Sequence, residues 1–253
     1  MNDLVNEVNE IISGIDFAAI WPGFTYRELP WPQELMEIQP DAQRAAAVLV
    51  RDMFRGFQKE QKETRYPDDF ALLAYPSDLD NFRLKFAENH FLAKSIIDNS
   101  VMDLQQFVIL REARRRIIGE AMMQEQYAET TDGMAEYAGL AALIQISREL
   151  FMQEIQAHME VLRNPRYIFD IRFASHSVGC LICFTLKSLG IDFGHGLSDK
   201  RTIYEFIPRE TNDIERFFPD IQASRQAKFD AFAKDRMRTA HDAEITGLDH
   251  ANK

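Results

Sequence analysis

Apolar positions change their period along the chain, and each change predicts an element. After Pro40-Asp41, Ala45, Leu49, Met53 and Phe57 recur at four-residue spacing and give way to Lys59-Glu60-Gln61-Lys62, which predicts an amphipathic helix with a solvated end. Residues 13–32 have no such period. Their aromatics, glycine and prolines (Phe17, Trp21, Pro22, Gly23, Phe24, Tyr26, Pro30, Trp31, Pro32) predict extended pieces and turns rather than a helix. The runs 70–75, closed by Pro76, and 91–97 are short, apolar and bounded, as strands are, and with the N-terminal segment they predict a small sheet.

Helical periods dominate the rest of the chain. They run from about 103 to 126 and from 131 to 162, break at Asn164-Pro165, resume over 174–189 and stop at Gly190. A last amphipathic stretch at about 221–240 leads into a polar tail at 241–253. Strand material early and long helices late predict an α+β, helix-heavy fold: a small N-terminal sheet beside a bundle of long helices. There is no repeat, low-complexity tract or Gly/Ser linker, so residues 1–253 read as one domain.

Composition narrows the partners. At 253 residues and 46% apolar content the chain is neither disordered nor fibrous. Twenty-nine Lys and Arg against 40 Asp and Glu leave a net charge of −11, which argues against nucleic acid or an anionic membrane as partner. No apolar run approaches the roughly 18 residues of a membrane span, and Met1-Asn2-Asp3-Leu4 lacks the basic start of a signal peptide, so a cytoplasmic protein is expected. The two cysteines, Cys180 and Cys183, lie in an apolar run and read as free buried thiols.

The chemistry concentrates in two central helical patterns. Leu104, Phe107, Val108, Arg111, Arg115, Ile118 and Met122 share one stripe, and Asp132, Ala135, Glu136, Gly139, Leu143, Ile146 and Leu150 share another. A buried charge must find its opposite, so the two helices are expected to face each other, Arg111 and Arg115 meeting Asp132 and Glu136 while Ala135 and Gly139 permit close approach. Replacing Arg111 by Met should then strand a buried carboxylate.

The same stretches, Arg111-Glu112-Ala113-Arg114-Arg115 and Asp132-Gly133-Met134-Ala135-Glu136-Tyr137, resemble the HExxH helix and the following E-G-x-A-E-Y helix of glutamate-zincin metallopeptidases, the latter as written in bacterial members. Residues 179–193 resemble the small-residue helix that packs behind such sites. The resemblance implies a zincin-like fold over about residues 90–210, with Glu112 at the general-base position. It also places Arg111 and Arg115 where two histidines would bind Zn²⁺. Guanidinium groups have no lone pair to donate and repel a cation, so no metal and no cofactor is expected. The reading is a degenerate, non-catalytic zincin-like protein with an Arg/carboxylate cluster (Arg111, Arg115, Asp132, Glu136) in place of the zinc site, open to an unknown peptide or small molecule.

Other constellations compete with it. A hydrolase with an unrecognised metal or acid/base site would use Glu112, Asp132 and Glu136, with His158, His176 or His195. His176, Cys180 and Cys183 share one side of a helix but lack a fourth ligand nearby, which reads as helix core rather than a metal site. The arginine run 114–116 reads as locally paired with Glu112 and Glu120. Trp21, Phe24, Tyr26 and Trp31 are candidates to line a groove, although large aromatics more often fill a core.

Overall fold

The computed structural model describes residues 2–28, 41–194, 197 and 199–209. Its helices are α1 (Asn2–Ser13), α2 (Phe17–Ile20), α3 (Ala42–Glu60), α4 (Asp69–Leu73), α5 (Leu79–Ile97), α6 (Val101–Ile118), α7 (Ala121–Ile146), α8 (Arg148–Arg163) and α9 (Ile171–Ser188), with 3₁₀ turns at Pro165–Tyr167 and Ile203–Phe206. No strand occurs among the described residues, which corrects the α+β, zincin-like expectation to a helical bundle. The stretch at 221–240, the tail at 241–253 and His195 lie outside the described residues.

The expected sheet fails for a local reason. Asp68 and Asp78 each sit in extended backbone and accept N–H groups of the following turn (Phe70 and Ala71 from Asp68, Asn81 from Asp78), so both apolar runs belong to capped helices. The run 91–97 is the second half of α5. Its inward stripe begins with Asn81, Lys85 and Glu88 before reaching Leu92, and a polar stripe escapes any search for apolar periodicity. The N-terminal segment also departs from the expectation: Asp16 caps the single turn of α2, and α1 precedes it. Ser147 divides the expected long helix over 131–162 by adopting extended backbone and capping α8 through the Leu150 N–H. Ala42–Glu60 and Ile171–Ser188 match their expected helices closely, capped by Asp41 and Asp170.

Helix α7 is the axis. It packs against α9 on one side and α3 on the other, while α6 packs chiefly on α5. Backbones touch where α7 crosses α9: a Cβ on Gly133 would lie 2.4 Å from Gly179 Cα, and one on Gly179 would lie 1.9 Å from the Glu129 carbonyl oxygen. Gly139 does the same for α3, where a Cβ would lie 2.8 Å from the Ala47 carbonyl oxygen. The close approach expected of Gly139 therefore serves α3 rather than the arginine helix.

The main apolar core joins α1, α3, α7 and α9 and includes Trp21, Phe24, Phe54 and Leu181. A smaller cluster forms around Tyr75, Phe82, Met122 and Ile171. No described helix is long and apolar enough to cross a membrane.

Candidate functional site

Between the two apolar clusters lies a set of charged side chains from α5, α6 and α7. Lys85, Glu88, Arg111, Arg114, Glu125 and Glu129 are all fully buried, three cations with three carboxylates. Arg111 Nη2 donates to Glu88 Oε1 and Glu129 Oε1, each at 2.8 Å, and its Nη1 donates to Glu129 Oε2. The Arg111 guanidinium lies 4.6 Å from the Phe107 ring centroid and 5.2 Å from that of Tyr204. Arg114 donates to Asn81 Oδ1 (2.9 Å), the Tyr75 hydroxyl (2.7 Å), Glu125 Oε2 (2.6 Å) and Glu88. Lys85 donates to Glu125, and so does the Tyr75 hydroxyl, at 2.6 Å.

Burial and neighbouring charges compete in this set, and the balance differs from group to group. Glu129 and Glu88 outweigh burial and hold Arg111 well above the ordinary guanidinium value. Arg114 and Lys85 likewise hold Glu125 well below the usual carboxylate range. Burial wins at Lys85, whose ammonium is pushed down, and at Glu129, which burial and the Glu125 charge push up.

The turn between α6 and α7 explains these pairings. Gly119 takes φ +56°, a left-handed conformation suited to glycine, and only Gly119-Glu120 separates the helices. Residues at similar distances from the turn therefore meet: Arg114 and Arg115 reach Glu125 and Gln126, and Arg111, one turn farther back, reaches Glu129, one turn farther on. Asp132 and Glu136 lie too far along α7 to meet the arginines.

The four residues expected to form one cluster thus occupy separate surroundings. Arg111 belongs to the buried core, whereas half-buried Arg115 reaches Gln126 Oε1 (3.3 Å) and Glu112 Oε2 (3.4 Å). Glu112 accepts the Tyr204 hydroxyl at 2.7 Å and lies 3.6 Å from Arg209. Asp132 turns to α9, with Arg172 Nη2 at 3.0 Å and His176 Nε2 at 3.5 Å. Burial would raise its pKa, but His176 and Arg172 hold it below the ordinary value. Glu136 lies 3.5 Å from Arg51 and 3.7 Å from His158 Nε2, while His158 Nδ1 is 2.9 Å from Ser177 Oγ. Burial pushes the His158 pKa down.

Cys180 and Cys183 are free and buried, and burial raises both thiols well above the ordinary value. No group of three His, Cys, Asp or Glu side chains among the described residues is placed to hold a metal ion. At the positions that the resemblance assigns to zinc ligands, Arg111 and Arg115 do not fit the metal.

Sequence reasoning found Arg111 and missed most of its company. Glu125 and Glu129 are four apart and point to one helix face, as do Asn81, Lys85 and Glu88, but the sets meet only because the Gly119 turn folds α7 back on α6 and α6 packs on α5. Comparison with protein-family models, curated proteins and solved structures gives no match.

Proposed function

We propose that this chain is a non-catalytic binding protein, degenerate with respect to the zinc metallopeptidases it resembles, in which a neutral ion-pair core stands in place of a metal centre. One observation carries the reading: Arg111, at the first HExxH ligand position, is fully buried and gripped by Glu88 and Glu129. A guanidinium held this way ties α5, α6 and α7 together through its Nη atoms and has no lone pair to offer a metal. Glu112, at the general-base position, is occupied by the Tyr204 hydroxyl and flanked by Arg115 and Arg209. A hydrolase built on Glu112, Asp132 and Glu136 would need them around one substrate, and each belongs to a different cluster.

The test restores the histidines. Replacing Arg111 and Arg115 with His removes two positive charges, which one Zn²⁺ would return, and sets two imidazoles one turn apart. Glu129, one turn before the position that the resemblance implies, becomes the third ligand, a carboxylate, in reach. The double variant is expected to bind one zinc ion with a rise in melting temperature, to lose it on Glu129→Gln, and the parent to bind none. Stoichiometric zinc in the parent, lost on replacing Glu112 or Asp132, overturns the non-catalytic reading. A folded double variant that binds zinc no tighter than the parent removes the metallopeptidase ancestry from it.

A further inference from the structure

The outer face of α6 is covered at one end and bare at the other. Val101, Met102, Gln105 and Glu112 fall on one face of this helix by their spacing. Glu112 accepts the Tyr204 hydroxyl at 2.7 Å, and two turns back Gln105 Nε2 donates to the Pro208 carbonyl at 2.8 Å. The segment 204–208 therefore runs along α6 toward the start of the helix. One turn farther on that course stand Val101 and Met102, 48% and 78% exposed, and across the turn stands Ile97 at the end of α5, 58% exposed.

Single exposed apolar side chains are ordinary on a folded protein, but three at one turn make a patch. The turn holds that patch in a fixed shape. Ser100 Oγ accepts the Asp103 N–H at 3.2 Å, the Ser100 N–H donates to the Ser95 carbonyl at 2.9 Å, and Asn99 takes φ +47° between them. Lys94 of α5 also reaches Asp103 of α6 at 2.9 Å, which ties the two helices together beside the patch.

The sequence that follows Arg209 supplies a cover. Glu210-Thr211-Asn212-Asp213 is polar, and then come Ile214, Phe217 and Phe218, apolar at i, i+3 and i+4, the spacing of one helix face. These residues lie outside the described ones. Four linking residues reach at most about 14 Å, whereas Met102 is one turn from Gln105, a rise of about 5 Å. A tether this short keeps its end at high local concentration over the patch. The apolar positions of 221–240 begin much farther along the chain and are more loosely tethered to it.

From the course of 204–208, the bare patch ahead of it and the apolar triplet behind the short linker, we infer that Ile97, Val101 and Met102 are the seat of residues 214–218, which strap the α5–α6 turn with Ile214, Phe217 and Phe218. The inference goes beyond the non-catalytic reading and does not depend on it.

Disulfide trapping in the full chain tests the strap. The native thiols, Cys180 and Cys183, are buried and do not compete. Met102→Cys with Phe217→Cys is expected to close an intramolecular disulfide under mild oxidation about tenfold faster than Met152→Cys with Phe217→Cys, Met152 being an exposed methionine of α8, because Ile214 and Phe218 remain to hold the strap in its seat. Val101→Asp places a carboxylate in the first turn of α6, where a helix accepts it, and should erase that advantage by wetting the seat. Equal rates for the two pairs, or an advantage that survives Val101→Asp, overturns the inference. So does faster closure onto Met102→Cys by Phe229→Cys than by Phe217→Cys, which gives the seat to 221–240, or a crosslinked dimer from Met102→Cys alone, which gives it to a second copy of the chain.

Discussion

The two halves of α7 solve the same problem, burial on nearly every side, by opposite means. Near its start, Glu125 and Glu129 reach long side chains across to α5 and α6 and meet Lys85, Arg111 and Arg114. From Gly133 onward the closest approaches fall at glycines, Gly133 against Gly179 of α9 and Gly139 against α3, backbone against backbone. Ion pairs tolerate distance and demand the right partner; glycine contacts tolerate many neighbours and demand the right distance. The charged half therefore selects which residues of α5 and α6 face α7, and the glycine-bearing half selects how deeply α9 and α3 seat.

The contrast can be broken at either half. The largest effect is expected at Arg111→Met, which leaves Glu88 and Glu129 short of a buried cation and should cost about 3–5 kcal/mol in urea unfolding. Arg115→Met removes only a half-buried pair with Glu112 and should cost about 0–1 kcal/mol, so equal losses at the two sites would refute the division between them. Gly179→Ala comes next. Its methyl would overlap the Glu129 carbonyl oxygen, which no rotamer change relieves, so a loss of about 1–3 kcal/mol is expected, and unchanged stability would mean that α7 and α9 slide freely.

The smallest effect is acid dependence at the junction of the halves. The Asp132 pKa is held below its ordinary value of 3.8, so its contribution is complete above that value and fades as pH falls through the lowered one. The gap in melting temperature between the parent and Asp132→Asn should accordingly hold down to about pH 4 and narrow below it. A constant gap would count against the pairing with Arg172 and His176.

Legibility in the sequence follows the same division. Ala42–Glu60 was readable because its inward stripe is apolar, and Arg111 was readable because it interrupts one. Arg114 is as buried as Arg111 but sits in a run of three arginines that reads as locally paired with Glu112 and Glu120. Leu79–Ile97 disappeared as a helix because Asn81, Lys85 and Glu88 occupy its inward stripe. Asp132 and Glu136 read as partners of Arg111 and Arg115 and pair elsewhere. Their partners, Arg172, His176, Arg51 and His158, come from α9, α3 and α8, and no spacing along α7 announces helices that pack on it from elsewhere.

The six buried charges also constrain how this chain can change over generations. Three positive and three negative groups are sealed together, so losing any one leaves the remainder with an odd charge and no water to dissipate it. Neutral substitutions there are tolerable in pairs, one cation with one anion, and mutation supplies them singly. An apolar filling of equal volume could be as stable. A lineage moving toward it one substitution at a time must first pass through a weakened intermediate, so the charged set can persist because the exits from it are steep.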